Sequence, residues 1–217
     1  MFMKDFFIGL LDWIYKKKCY FCKSSKECVK MCSKCYEEMD YLPVKVNRVI
    51  DGVNVYCAGI YEKNLQKLIR GLKYHNQREL AYYLAKFMVG YWNNVTENKN
   101  YQIVPVPIFE KRRKKRKYNH MELVGEEIAT LTGYNYNPNL IRRIKNTKPQ
   151  YNLKKPERIK NLKNAFEVNK NELKEGTILL IDDICTTGST FEEMIRELQK
   201  HGINDIVCLT ATTPFGD

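Results

Sequence analysis

Residues 177–190, TILLIDDICTTGST, constrain the fold of this chain more than any other stretch. Ile178, Leu179, Leu180 and Ile181 form an unbroken apolar run. A strand with one wet face alternates apolar and polar residues. An uninterrupted run therefore predicts a strand covered on both faces, as in a parallel sheet flanked by helices. Asp182 and Asp183 end the run, and Thr186, Thr187, Gly188, Ser189 and Thr190 form a turn of glycine and small hydroxyl residues. Phe191, Met194, Ile195 and Leu198 then recur at helical spacing over Phe191–His201. At such a strand–turn–helix junction, backbone N–H groups, hydroxyls and the positive end of the helix dipole converge on one phosphate. Two carboxylates a few residues earlier supply acceptors for sugar hydroxyls, and the combination describes a ribose 5-phosphate moiety. No Gly-Lys-Ser/Thr is present, so the P-loop pattern fails. The same residues also fit a plain buried strand whose acids only cap the turn.

Four cysteines form a second pattern. Cys19-x-x-Cys22 and Cys32-x-x-Cys35 are two knuckles separated by nine residues. Each presents two thiolates on one turn, and two facing knuckles make the closed four-sulfur tetrahedron of a structural zinc site. Cys28 lies between them as an extra thiol able to compete, while Cys57, Cys185 and Cys208 sit in apolar contexts and are expected to be buried. Disulfides are the alternative, and no secretory signal supports them. Residues 4–17 are expected to form a short amphipathic helix, since Phe6–Leu11 is too short an apolar run for a signal peptide or a membrane span. A cytoplasmic location follows as an expectation.

Between these patterns the chain alternates in type. Strands are expected at Val53–Tyr61, Tyr101–Val106, Ala165–Val168 and Ile206–Ala211, and helices at Glu62–Tyr74, Glu79–Trp92 and Met121–Leu131. This predicts an α/β chain in two parts: a zinc module over residues 1–48 and a parallel-sheet, Rossmann-like domain over 49–217. Charge is lopsided, with 37 Lys+Arg against 25 Asp+Glu. That excess suits polyanion partners, or simply a solvated basic surface. Seven consecutive cations, Lys111, Arg112, Arg113, Lys114, Lys115, Arg116 and Lys117, precede Tyr118. Their mutual repulsion predicts a mobile loop. A second basic segment holds Arg142, Arg143, Lys145, Lys148, Lys154, Lys155, Arg158, Lys160 and Lys163, with Gln150 and Tyr151 in its middle. Cations interleaved with tyrosines are how single-stranded nucleic acid is held, which makes Arg112 to Tyr118 the candidate DNA surface.

The stretch from Thr177 to Thr190 resembles the PRPP-binding signature of type I phosphoribosyltransferases. Across the chain, the two CxxC knuckles, Leu72-Lys-Tyr74, Val104-Pro-Val-Pro107, Arg116 to Asn119, Arg142…Gln150…Arg158 and the Asp182–Thr190 signature occur in the order of the ComF family of competence proteins, which joins a zinc module to a phosphoribosyltransferase-type domain. The resemblance implies that Asp182 and Asp183 hold the ribose hydroxyls. It implies equally that Thr186, Thr187, Gly188, Ser189 and Thr190 hold the 5′-phosphate, and that Mg²⁺ accompanies PRPP. Arg116, Arg142, Arg158 and the Pro105–Pro107 exit would face the pyrophosphate, and these arginines with the two acids are the catalytic candidates. It further implies binding of PRPP and single-stranded DNA in DNA uptake and natural transformation, alongside other competence proteins. An active phosphoribosyltransferase of nucleotide salvage and a PRPP-sensing regulator stay open beside that reading. One departure stands out: the family reads Arg-Gly-Phe-Asn-Gln where this chain has Arg116-Lys117-Tyr118-Asn119-His120.

Overall fold

In a computed structural model, which describes residues 17–96, 100–147 and 161–214, the apolar run becomes the centre of a six-stranded sheet. The expected N-terminal helix lies outside the described residues, apart from Lys17, as do Lys148, Gln150, Tyr151, Lys154, Lys155, Arg158 and Lys160. The strands are β1 (Arg48–Ile50), β2 (Val53–Ile60), β3 (Tyr101–Pro105), β4 (Asn135–Tyr136), β5 (Ile141–Arg143), β6 (Phe166–Val168), β7 (Thr177–Ile184) and β8 (Ile206–Thr213). The main sheet runs β1-β2-β8-β7-β3-β4 and is parallel except for the β1–β2 hairpin, while β5 and β6 pair antiparallel apart from it. The helices are α1 (Ser33–Glu37), α2 (Lys63–Tyr74), α3 (Leu80–Trp92), α4 (Glu110–Arg116), α5 (His120–Thr132) and α6 (Ser189–Lys200).

Strand alternation divides β7 between two cores. Leu179 and Ile181 pack on one face with Leu68, Leu72, Leu84 and Val124 of α2, α3 and α5. Ile178 and Leu180 pack on the other with Phe191, Met194 and Leu198 of α6 and Phe166 of β6. All four β7 residues are essentially inaccessible, as expected for a central parallel strand. Burying one such side chain contributes about 1.5–3 kcal/mol. The cysteine knuckles pack against the main domain: Cys19, Phe21, Met31, Cys32 and Cys35 belong to the same cluster as α2 and α3.

One expectation is corrected. The run of seven cations is not a loop. Its first six residues, Lys111 to Arg116, continue from Glu110 as α4, and Lys117 caps that helix. A helix splays consecutive residues 100° apart, which separates the charges, and none of its residues is buried. Glu110 lies 3.8 Å from Lys114, and Arg113 makes a two-pronged pair with Glu122 of α5 at 3.1 and 2.9 Å. Lys117 closes the helix at φ +68°, in the left-handed region that favours glycine.

Candidate functional site

The C-terminal end of β7 carries both acids, and the pleat sends them to opposite faces of the sheet. Asp183 is buried and faces α2 and α5. Its Oδ2 receives Lys73 Nζ from the end of α2 at 2.6 Å and His120 Nε2 from the start of α5. Burial alone would raise the Asp183 carboxyl, but Lys73 and His120 hold it well below the usual carboxylate range. An ionised carboxylate only accepts, so Nε2 of His120 carries the proton, and its Nδ1 is buried without a partner. Burial lowers the His120 pKa, outweighing Asp183, which raises it, and the nearby cations Lys73 and Arg116 act with burial.

Asp182 faces the other way. Its Oδ1 accepts the Asp183 N–H at 2.8 Å. Burial, followed by the neighbouring Asp183 charge, pushes its carboxyl up to about 7. Arg143 is among the cations that act on it. That arginine lies over the Phe166 ring, bonds Thr147 Oγ1 and leaves its Nε buried without a partner. Burial lowers its pKa to about 10. Arg142, the sequence candidate, is exposed and ion-paired with Glu167 at 3.3 Å. Adjacent strand residues point to opposite faces, so the structure turns Arg143 rather than Arg142 toward the acids. Arg116 stands over the Tyr74 ring at 5.4 Å, one residue from Lys73.

The turn beyond the acids has the expected geometry. Gly188 sits at φ +80° and caps α6, and a Cβ there would lie 2.5 Å from Ile50 Cδ1. Thr187 Oγ1 and Ser189 Oγ are 2.7 Å apart, and the Ser189 N–H reaches Thr187 Oγ1 at 3.4 Å. The first N–H groups of α6 follow directly on these two hydroxyls, an arrangement able to receive an anion. The Pro105–Pro107 exit is tied to this region through Asn119. Its Nδ2 donates to Val106 O at 3.1 Å, and its Oδ1 caps α5 by accepting the Met121 N–H.

Lys73, His120, Arg143 and Arg48, whose Nη1 donates to Thr186 O at 3.0 Å, are site residues that sequence reading left without a role. A period-two pattern carried a signal for one of them, since Arg143 shares its strand face with buried Ile141. Tyr118 is committed elsewhere. Arg78 covers its ring at 4.6 Å, and its hydroxyl donates to Leu72 O.

In the cysteine cluster, the Sγ atoms of Cys19, Cys22, Cys32 and Cys35 all lie within 4.8 Å of one another. Thiolates about 2.3 Å from a tetrahedral zinc are about 3.8 Å apart, and Cys22 and Cys32 are 3.7 Å apart. The donor set therefore fits a structural metal. Burial opposes ionisation of Cys19, yet backbone donors from Cys32, Cys22 and Phe21 bring its thiol down to about 6. Cys28 stands outside the cluster, exposed, with its Sγ on Ser25 O. Cys57, Cys185 and Cys208 are buried as expected. Among the described residues, no helix is long and apolar enough to cross a membrane.

Several known proteins are similar to this chain. The family model "Phosphoribosyl transferase domain" matches residues 135–213. "Competence protein F" of Haemophilus influenzae is 28% identical over 198 residues, 87% of this chain and 86% of that protein. "DNA utilization protein YhgH" of Salmonella typhimurium is 29% identical over 146 residues, 65% of this chain and 64% of that protein. The crystal structure of adenine phosphoribosyltransferase from Thermoanaerobacter pseudethanolicus aligns with a TM-score of 0.39 at 14% identity, covering 83% of this chain and 98% of that one.

Proposed function

We propose, for a chain that is a relative of the ComF-type competence proteins and carries a phosphoribosyl transferase domain, that it binds PRPP and single-stranded DNA in the cytoplasm during DNA uptake. The observation that carries the ligand is the junction of Asp182 and Asp183 with a glycine-centred hydroxyl turn at the head of α6. Ribose hydroxyls would donate to the acids. The 5′-phosphate would take the turn from Thr186 to Thr190. Arg116 and Arg143 would face the pyrophosphate, whose Mg²⁺ is held by ligand oxygens and water. Arg158 belongs to the same role by family resemblance. The cations of α4, Arg112 to Arg116, none of them buried, with Lys117 after it, would form the DNA surface. Zinc in the four-cysteine cluster holds the N-terminal residues together.

Turnover is a second reading, favoured by Arg143, which acts on Asp182, and by Arg116, which stands over Tyr74 next to Lys73. Cations fixed where pyrophosphate departs would stabilise the charge that develops there. In that case the chain is a phosphoribosyltransferase, and pyrophosphate release in the presence of a nucleobase acceptor measures it.

Calorimetric titration with Mg²⁺–PRPP tests the ligand. Asp183 is a poor position to alter, because its loss strands half-buried Lys73 and buried His120. Asp182→Asn keeps the shape and removes a charge-assisted acceptor, which contributes about 1.5–3 kcal/mol. Affinity for PRPP should fall about ten- to a hundredfold, with inorganic phosphate much less affected. Equal PRPP affinity in the two proteins would mean that Asp182 does not receive the ribose.

A further inference from the structure

We propose that Arg48 is a positioning residue for the phosphate turn, holding it from behind by the Thr186 carbonyl. The inference rests on the reading that Thr186–Thr190 receives a phosphate, and Arg48 lies far outside the segment matched by the family model.

The β1–β2 hairpin turns through Asp51 and Gly52, at φ +47° and +80°, and pairs Arg48 with Val55 and Ile50 with Val53. Arg48 and Ile50 therefore share one face, and Val49, 61% exposed, takes the other. That shared face meets the turn. Ile50 Cδ1 closes over Gly188, and Arg48 Nη1 lies 3.3 Å from the position a Gly188 Cβ would occupy. The same Nη1 donates to Thr186 O at 3.0 Å.

Peptide planarity gives this bond its consequence. In a trans peptide the C=O of one residue and the N–H of the next point in opposite directions, and no cis bond occurs among the described residues. With the Thr186 carbonyl turned toward Arg48, the Thr187 N–H is turned away from it, to the side where an anion would sit. The hairpin that carries Arg48 is itself anchored to α6. Arg196 pairs with Asp51 at 3.7 Å, and Gln199 donates to Asp51 O at 3.1 Å. Hairpin, turn and helix thus form a closed frame, and the guanidinium places a positive charge behind the anion.

The test uses the full chain with Arg48→Gln and Arg48→Lys. Without ligand, amide exchange across 186–190 should be about tenfold faster in the Gln variant and intermediate in the Lys variant, with residues 177–184 unchanged. In calorimetry, affinity for ribose 5-phosphate should fall about tenfold in Arg48→Gln and recover in part with Lys, while affinity for pyrophosphate stays within about twofold. Turn exchange within about twofold of wild type overturns the proposal, as does undiminished ribose 5-phosphate affinity. A wild-type protein that takes up neither ribose 5-phosphate nor PRPP would instead defeat the phosphoribosyl reading, and the exchange comparison would still decide what Arg48 does to the turn.

Discussion

At the scale of single residues, two neighbouring carboxyls are held in opposite proton states. Asp183 is kept ionised by Lys73 and His120, while Asp182 titrates near 7 because burial and its neighbour disfavour a second charge. Their contributions to stability have opposite signs. For Asp182, between the ordinary value of 3.8 and about 7, the unfolded chain binds fewer protons than the folded one, so its contribution to stability falls as pH rises through that window. Asp183 contributes stability above its unfolded value, and this is lost as pH falls toward its depressed folded value. Under the proposed reading, the ligand's hydroxyls need the ionised form of Asp182. The ratio of Mg²⁺–PRPP affinities, wild type over Asp182→Asn, should therefore rise between about pH 6 and 8, and the common titration of PRPP cancels in that ratio. A flat ratio would mean that Asp182 does not meet the ligand. Lys117 allows a second prediction. Its φ of +68° strains a side chain where the family has glycine, so Lys117→Gly should raise stability by about 1 kcal/mol in denaturant titration. The strain was not legible, because a charge run says nothing of backbone handedness. Both acids were legible, being adjacent in a motif. Their partners were not, since His120 lies 63 residues before Asp183 and only the fold brings them together.

At the scale of elements, periodicity located most of the sheet and its helices. The long apolar run of β7 and the faces of α2 and α6 carry enough buried residues to override any local ambiguity. It failed at α4, where no residue is buried and so no apolar stripe exists to be read. Helix geometry and the Glu110–Lys114 and Arg113–Glu122 pairs supply the order that hydrophobic burial supplies elsewhere. A helix presents its cations as a fixed array, and that changes the expected DNA response. Neutralising Arg112, Arg113, Lys114 and Lys115 together should reduce the slope of log affinity against log salt by about 2. The reduction should stay under the value of about 2.8 for four full contacts on a single strand, because Arg113 is already paired. An unchanged slope would put the DNA elsewhere on the molecule. The hairpin carrying Arg48 did have a local signature, Asp51-Gly52 between apolar residues, but its meeting with Thr186, 138 positions on, was invisible in sequence.

At the scale of the whole molecule, two cores share one sheet, and the cysteine knuckles extend the first of them. Cys19, Cys32 and Cys35 contact the environment of Leu68, Leu72 and Phe87, so metal loss should not melt the N-terminal residues alone. Cys35→Ser, or chelation of the wild type, should lower a single cooperative transition by about 5 °C or more, the shift that about 2 kcal/mol produces in a chain of this size. An early, separate transition with the main one unmoved would show that the knuckles fold independently. The helix between the two sites is α2. Near its start, Asn64 donates to Cys35 O and Lys67 to Phe21 O, Gly71 lies against Tyr20, and at its far end Lys73 reaches Asp183. Twelve residues make a stiff rod about 18 Å long, grounded at one end on the sulfur cluster and at the other on Asp183. Reciprocity governs two occupants joined by such a rod: whatever factor the metal lends to ligand affinity, the ligand must return to metal affinity.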